Sequence, residues 1–132
     1  MKKYYLLFFA IIPFIFSCSD NIVSPEPPYD SSINGKSIRI YKNQQFILEL
    51  EVCLDGGYCW DCSFSDNSIL RIDSTKFRSK NGNPNLVGGM SIETFYFCGI
   101  KKGKCWVDLY ERQPWEPGTA PINTIQFNVI VN

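Results

Sequence analysis

Cys59-Trp-Asp-Cys62 is the place in this chain where residue type and spacing come closest to a reactive centre. Two thiols three residues apart make a redox dithiol or half of a zinc site. The first needs a strand giving way to a helix, and the second needs another matched pair. The flanking Tyr58 and Phe64 continue a strand-like run, and Cys53, Cys98 and Cys105 lie scattered. The chain holds 0 histidines. That excludes Ser-His-Asp and Cys-His catalysis and removes the commonest zinc ligand. A carboxylate pair remains as an enzymatic option, and no motif marks one. The chain is read as a non-enzyme, with no cofactor and no metal.

Binding chemistry is better represented. Leu109-Tyr-Glu-Arg-Gln-Pro-Trp-Glu-Pro117 leaves an alternating strand and places Trp115 between two prolines. Trp and Arg are the types most enriched at binding hot spots, and loops on a rigid scaffold are where they are displayed. Trp115 folded back as a lid over the core is the competing reading.

The elements that must position these residues begin after an address segment. Met1-Lys-Lys and the apolar run Tyr4 to Phe16 form a secretory signal peptide, residues 1–17, too short and wrongly flanked for a membrane span. Ile15-Phe16-Ser17-Cys18 resembles a bacterial lipobox. That resemblance implies cleavage before Cys18, acylation of its thiol and new amine, and stable membrane anchoring. Asp20 falls one place beyond the inner-membrane retention position, so the expected location is the outer membrane, on either face. An ordinary secreted protein is the alternative. Residues 18–33, with Ser24-Pro-Glu-Pro-Pro28, read as an extended tether, or as a Pro-rich ligand for another domain. Residues 34–132 are one domain in length. Without Lys2 and Lys3, 11 of the 13 basic side chains remain against 13 acidic ones. No basic stripe offers a surface to nucleic acid.

From Asn34-Gly35 onward the chain reads as strands, at 37–41, 46–52, 58–64, 72–78, 92–98, 104–110 and 124–131. No window holds a helical apolar period. The expected fold is all-β, an immunoglobulin-like β-sandwich of about seven strands. In such a sandwich the connections between strands two and three, four and five, and six and seven (the BC, DE and FG loops) share one end. Here they are Cys53 to Gly57, Ser79 to Met90 and Glu111 to Asn123, all rich in Gly, Pro or Asn. Their convergence predicts a binding pole; drift in loop length is the plainer reading. Trp60 and Trp106, both in mid-strand, are expected in the core.

Three stretches then carry a resemblance, in order and at those three loops. They are Gly57-Tyr58-Cys59-Trp60, Gly88-Gly89-Met90-Ser91 before Glu93-Thr-Phe-Tyr-Phe97, and Arg112-Gln-Pro-Trp-Glu116. From about Asn34 to its end the chain is similar to the chagasin family, the Ig-like inhibitors of papain-type cysteine proteases. The BC loop departs from the family's Asn-Pro-Thr-Thr-Gly, reading Cys53-Leu-Asp-Gly-Gly57, and Gln113 is inserted between Arg112 and Pro114. Met90 and Ser91 stand where the DE loop of the family has glycines. The resemblance implies reversible, non-covalent occlusion of a papain-like protease by a monomer. The contact surface would be Asp55, Gly56, Gly57, Tyr58, Gly88, Gly89, Met90, Arg112, Pro114 and Trp115. Asp55 is expected to face the catalytic thiolate–imidazolium pair. The altered BC loop keeps a second reading open, a surface lipoprotein whose pole holds another protein or a glycan.

With Cys18 lipidated, five cysteines remain for an oxidising compartment, and disulfides are expected. Cys62 with Cys105 competes with Cys98 with Cys105, and a Cys53–Cys59 staple across the BC loop is a further pairing, with one thiol left over.

Overall fold

Apolar and polar residues alternate along most of this chain, and that alternation gives each strand one dry face. The computed structural model describes residues 22–23, 28–83 and 88–132. The signal peptide, residues 18–21 and 24–27 of the tether, and residues 84–87 of the DE loop lie outside the described residues. The strands are β1 (Ile22–Val23), β2 (Ser37–Ile40), β3 (Gln45–Val52), β4 (Cys59–Phe64), β5 (Leu70–Ser79), β6 (Ser91–Gly99), β7 (Gly103–Arg112) and β8 (Asn123–Val131). They form a five-stranded sheet in the order β1-β2-β8-β7-β4 and a three-stranded sheet in the order β3-β6-β5. β2 runs parallel to β8, and β4, β7 and β8 pair antiparallel. This is an all-β, Ig-like sandwich.

Even-numbered residues of β3 (Phe46, Leu48, Leu50, Val52) meet odd-numbered residues of β7 and β8 (Cys105, Val107, Leu109; Ile125, Phe127, Val129) between the sheets. Phe46 stacks on Phe97 with centroids 4.8 Å apart, and Phe127 meets both edge-on. Such aromatic contacts fix how the sheets sit on one another. β5 runs beyond the expected 72–78 at both ends. It carries a bulge at Asp73, which has no ladder partner and whose carboxylate accepts from Gln45 and Arg71.

The packed body starts before Asn34. Tyr29 bridges to Leu48 in parallel, with its N–H donating to Ile47 O at 2.8 Å, and Ile33 is buried in the core. The far end of the expected tether is therefore part of the sandwich.

Trp60 is buried as expected, whereas Trp106 is 49 % exposed. Period-2 parity is the reason: with Cys105 and Val107 facing in, Trp106 must face out.

The same parity decides the cysteines. All five described thiols are free. Cys62 pairs in register with Leu109, and Cys105 with Val129. By extension of the β4–β7 register, Cys105 stands level with Asp66, and its thiol donates to Asp66 O at 3.5 Å. It is not level with Cys62. Cys98 lies on the outer face of its sheet beside Arg71, away from the core position of Cys105. Neither Cys62 and Cys105 nor Cys98 and Cys105 are therefore cross-strand partners, as the expected pairings required.

Candidate functional site

The register sets all three long connections at one end of the sandwich. Val52 and Ser79 both lie opposite Ser91, Cys59 lies opposite Arg112, and Glu111 lies opposite Asn123. The BC, DE and FG loops spring from those ends, so the predicted pole exists.

The BC loop is a single 3-10 turn, Leu54–Gly56, closed by Gly57 at φ 74°. Only its own backbone bonds shape it from within: Gly57 N–H donates to Leu54 O at 2.8 Å and Tyr58 N–H to Cys53 O at 3.2 Å. A left-handed residue at this cap is the conformation glycine accepts without strain. Tyr58 packs its ring beside Gly56 and against the core.

Among the described residues, the neighbouring loops reach the BC loop through these contacts. Gln113 Nε2 donates to Gly56 O at 2.7 Å. Gly89 N–H donates to Asp55 Oδ2 at 3.0 Å. The Trp115 indole lies over Gly57, its Cη2 only 1.9 Å from where a side-chain Cβ would stand. Trp115 is nonetheless 64 % exposed. One edge of the ring rests on the Gly57 backbone, not over the core, and the rest faces solvent.

Asp55 and Arg112 both make contacts within the molecule. The Asp55 carboxylate accepts from Gly89 N–H of the DE loop, and the residue remains exposed. Arg112 is the last residue of β7, not part of the loop. Its guanidinium lies 5.0 Å from the Tyr110 ring centre, and Nε is 3.9 Å from Asp61 Oδ2. Parity again explains this: Leu109 and Glu111 face in, so Arg112 lies on the outer face of the sheet. Gly88, Gly89, Met90 and Pro114 are exposed at the pole. Lys80 N–H closes the base of the DE loop on Met90 O at 3.0 Å.

Beneath the loops lies a polar layer that sequence reasoning missed. Glu93 Oε2 accepts from Trp60 N–H at 3.0 Å, and Trp60 Nε1 donates to Glu51 O at 3.0 Å. Glu111 Oε2 accepts from Asn123 Nδ2 at 2.6 Å. Both glutamates are almost fully buried. Burial pushes the Glu93 carboxyl up, with Glu111 adding to that and the Trp60 N–H opposing it. Trp60, Glu93, Glu111 and Asn123 each stand next to a loop end, so this layer braces the bases of all three loops. Acidic residues at inward strand positions were the available signal.

The Cys59–Cys62 pair offers little reactivity. An offset of three along a strand puts its members on opposite faces, Cys62 inward and Cys59 outward beside Arg112. Burial, then Asp61, pushes the Cys62 thiol up to about 12, and Cys59 is raised by burial and by Glu93 and Asp61. Thiols so shifted are poor nucleophiles and poor metal ligands.

The profile of the chagasin family peptidase inhibitor I42 matches residues 39–129, more than half of the chain. The chain belongs to the chagasin family of peptidase inhibitors. No curated protein matches it. Among solved structures it is similar to the cysteine protease inhibitor EhICP2 from Entamoeba histolytica, with a TM-score of 0.70 and 18 % identity over 84 % of this chain and 96 % of that one. It is also similar to amebosin, with a TM-score of 0.63 and 21 % identity over 80 % of this chain and 99 % of that one. A third likeness is PbICP-C, solved in complex with falcipain-2, with a TM-score of 0.54 and 15 % identity over 86 % and 93 % of the two chains. At these identities the likeness is one of fold. The chagasin-family match spans the BC, DE and FG loops and includes Gly57, Gly88, Gly89 and Trp115.

Proposed function

We propose that this chagasin-family protein is a reversible, non-covalent inhibitor of papain-like cysteine proteases, and that its three-loop pole enters the active-site cleft. The observation that carries the reading is the seat of Trp115 on Gly57, where an exposed aromatic and a stretch of side-chain-free backbone form one surface. Gly56 and Gly57 let the Tyr58 and Trp115 rings lie close on the BC turn, which keeps the tip narrow enough to enter a cleft. Trp115 supplies a large rigid contact with little entropy to lose. Loops already braced by the Glu93 and Glu111 layer lose less freedom on docking. Inhibition needs no bond to the catalytic sulfur; the cleft is filled and substrate is excluded. Asp55 and Arg112, committed to contacts within the molecule, contribute less to the target than their types suggested.

The test is titration of papain with the full-length protein. Expected is tight, reversible inhibition that Trp115→Ala weakens severely. A folded chain that leaves papain and several of its relatives untouched would favour the second reading, a pole that holds another protein or a glycan. The BC sequence Cys53-Leu-Asp-Gly-Gly57 is what keeps that reading in view.

The proposal extends to the envelope. Cleavage before Cys18 and acylation there would tether the domain to a membrane, the outer one by the residues that follow. Labelled fatty acid should enter the wild-type protein in its bacterial host and not the Cys18→Ala variant. In an oxidising compartment, Cys53 and Cys59 remain the pair that could staple the BC loop. Peptide mapping without reduction checks for that bond.

A further inference from the structure

The BC loop is poor in anchors of its own. It has two adjacent glycines and one turn of 3-10 helix, yet the proposed function asks it to keep a fixed shape. Two side chains, neither from the core, supply what the loop lacks. Gln113, the residue inserted after Arg112, donates from Nε2 to Gly56 O at 2.7 Å. Asp55 holds Gly89 N–H at 3.0 Å, and its Oδ2 is also 3.7 Å from where a Cβ on Gly88 would stand. Among the described residues, each flanking loop is thus tied to the BC loop by a polar bond, and the Trp115 ring closes the FG side over Gly57.

We propose that Gln113 and Asp55 are positioning residues: they lock the BC turn to the FG loop and to the Gly88–Met90 end of the DE loop, so that this docking surface is set before a target arrives. The proposal rests on the inhibitor reading only for its purpose, since the locking itself is a property of the free chain. Chain connectivity supports it. Gln113 follows the end of β7 directly, so its backbone is fixed by the sheet and its amide can reach across to Gly56. Asp55 sits at the centre of the 3-10 turn, so restraining it restrains the turn.

The experiment is backbone amide exchange by NMR on the full-length chain, without protease. The probes are Gly57 and Tyr58, whose amides donate within the BC loop. Gln113→Ala and Asp55→Ala should each speed exchange at both probes by about tenfold or more, as expected when a restraining hydrogen bond is lost from a locally opening unit. Core amides of β7 and β8 should be unaffected. Gln113→Glu, which keeps the size but loses the donor, should behave like the alanine variant. Asp55→Asn keeps an acceptor oxygen and should retain wild-type protection. Unchanged exchange at both probes in the alanine variants overturns the proposal, as does an Asp55→Asn variant as fast as Asp55→Ala. If an alanine variant loses its core protection, the Gln113→Glu and Asp55→Asn pair decides on the same criteria. Papain titration of the same variants separates the two ideas. A locked wild-type pole that fails to inhibit sinks the inhibitor reading and leaves the positioning role standing.

Discussion

Trp115 lies directly over Gly57 at the pole, and the two residues make opposite predictions. Gly57 has φ 74° and no space for a Cβ beneath the indole. Gly57→Ala should cost about 1–2 kcal/mol for the left-handed backbone alone. In a domain near 100 residues each kcal/mol lowers the melting temperature by roughly 4–8 °C. The ring must also lift, so a shift in Trp emission should accompany the loss of stability. Trp115→Ala is the converse. With the ring 64 % exposed, thermal melts should move little, within about 0.5 kcal/mol for a surface site. Inhibition of papain should weaken by roughly 30-fold or more, as for a hot spot of about 2 kcal/mol. Both residue types were visible in the sequence as exceptional. Their contact was not, because it joins two loops that meet only once the sheets are paired.

At the level of strands, parity accounts for what could be read and what was misjudged. The seven main strands follow from alternation and turn residues. Trp106 and Arg112 were misplaced because each was weighed by type, when its odd or even position relative to Leu109 fixes its face. Glu93 and Glu111 show the same rule from the other side: they occupy inward positions, and a burial cost at each loop base is offset by hydrogen bonds to Trp60 and Asn123. This layer should give a recognisable pH dependence. The Glu93 carboxyl is raised above its ordinary value of 4.5, chiefly by burial. Across that window the native state keeps a proton that the unfolded chain releases. The contribution of Glu93 is therefore fully present at and below pH 4.5 and is lost as pH rises through the raised pKa. Asp30, Asp66 and Asp73, all lowered by hydrogen bonds from neighbouring groups, act only below 3.8, outside this range. Glu93→Gln keeps an acceptor for Trp60 N–H and should flatten the slope. Denaturation midpoints between the ordinary Glu value and neutral pH would show it, and an undiminished slope in the variant would assign the effect elsewhere.

For the molecule as a whole, a rigid sandwich carries its recognition at one end. The bulge at Asp73 bears on what the flank of that sandwich does. β5 is the outermost strand of its sheet, with a long row of main-chain amides available for an incoming strand. Asp73, drawn onto Gln45 and Arg71, breaks the regular spacing of that row, and the charged side chains Arg71, Lys76 and Arg78 line it, Arg71 paired with Asp73 and Arg78 with Glu49. A second copy laid edge-to-edge would have to desolvate these charged groups across a kinked ladder. The wild-type domain should sediment as a monomer. Deleting Asp73 and neutralising Arg71 and Lys76 together should produce concentration-dependent association, measured by the same sedimentation. The flank is thus guarded against self-templating, which leaves the loop end free to meet something other than itself.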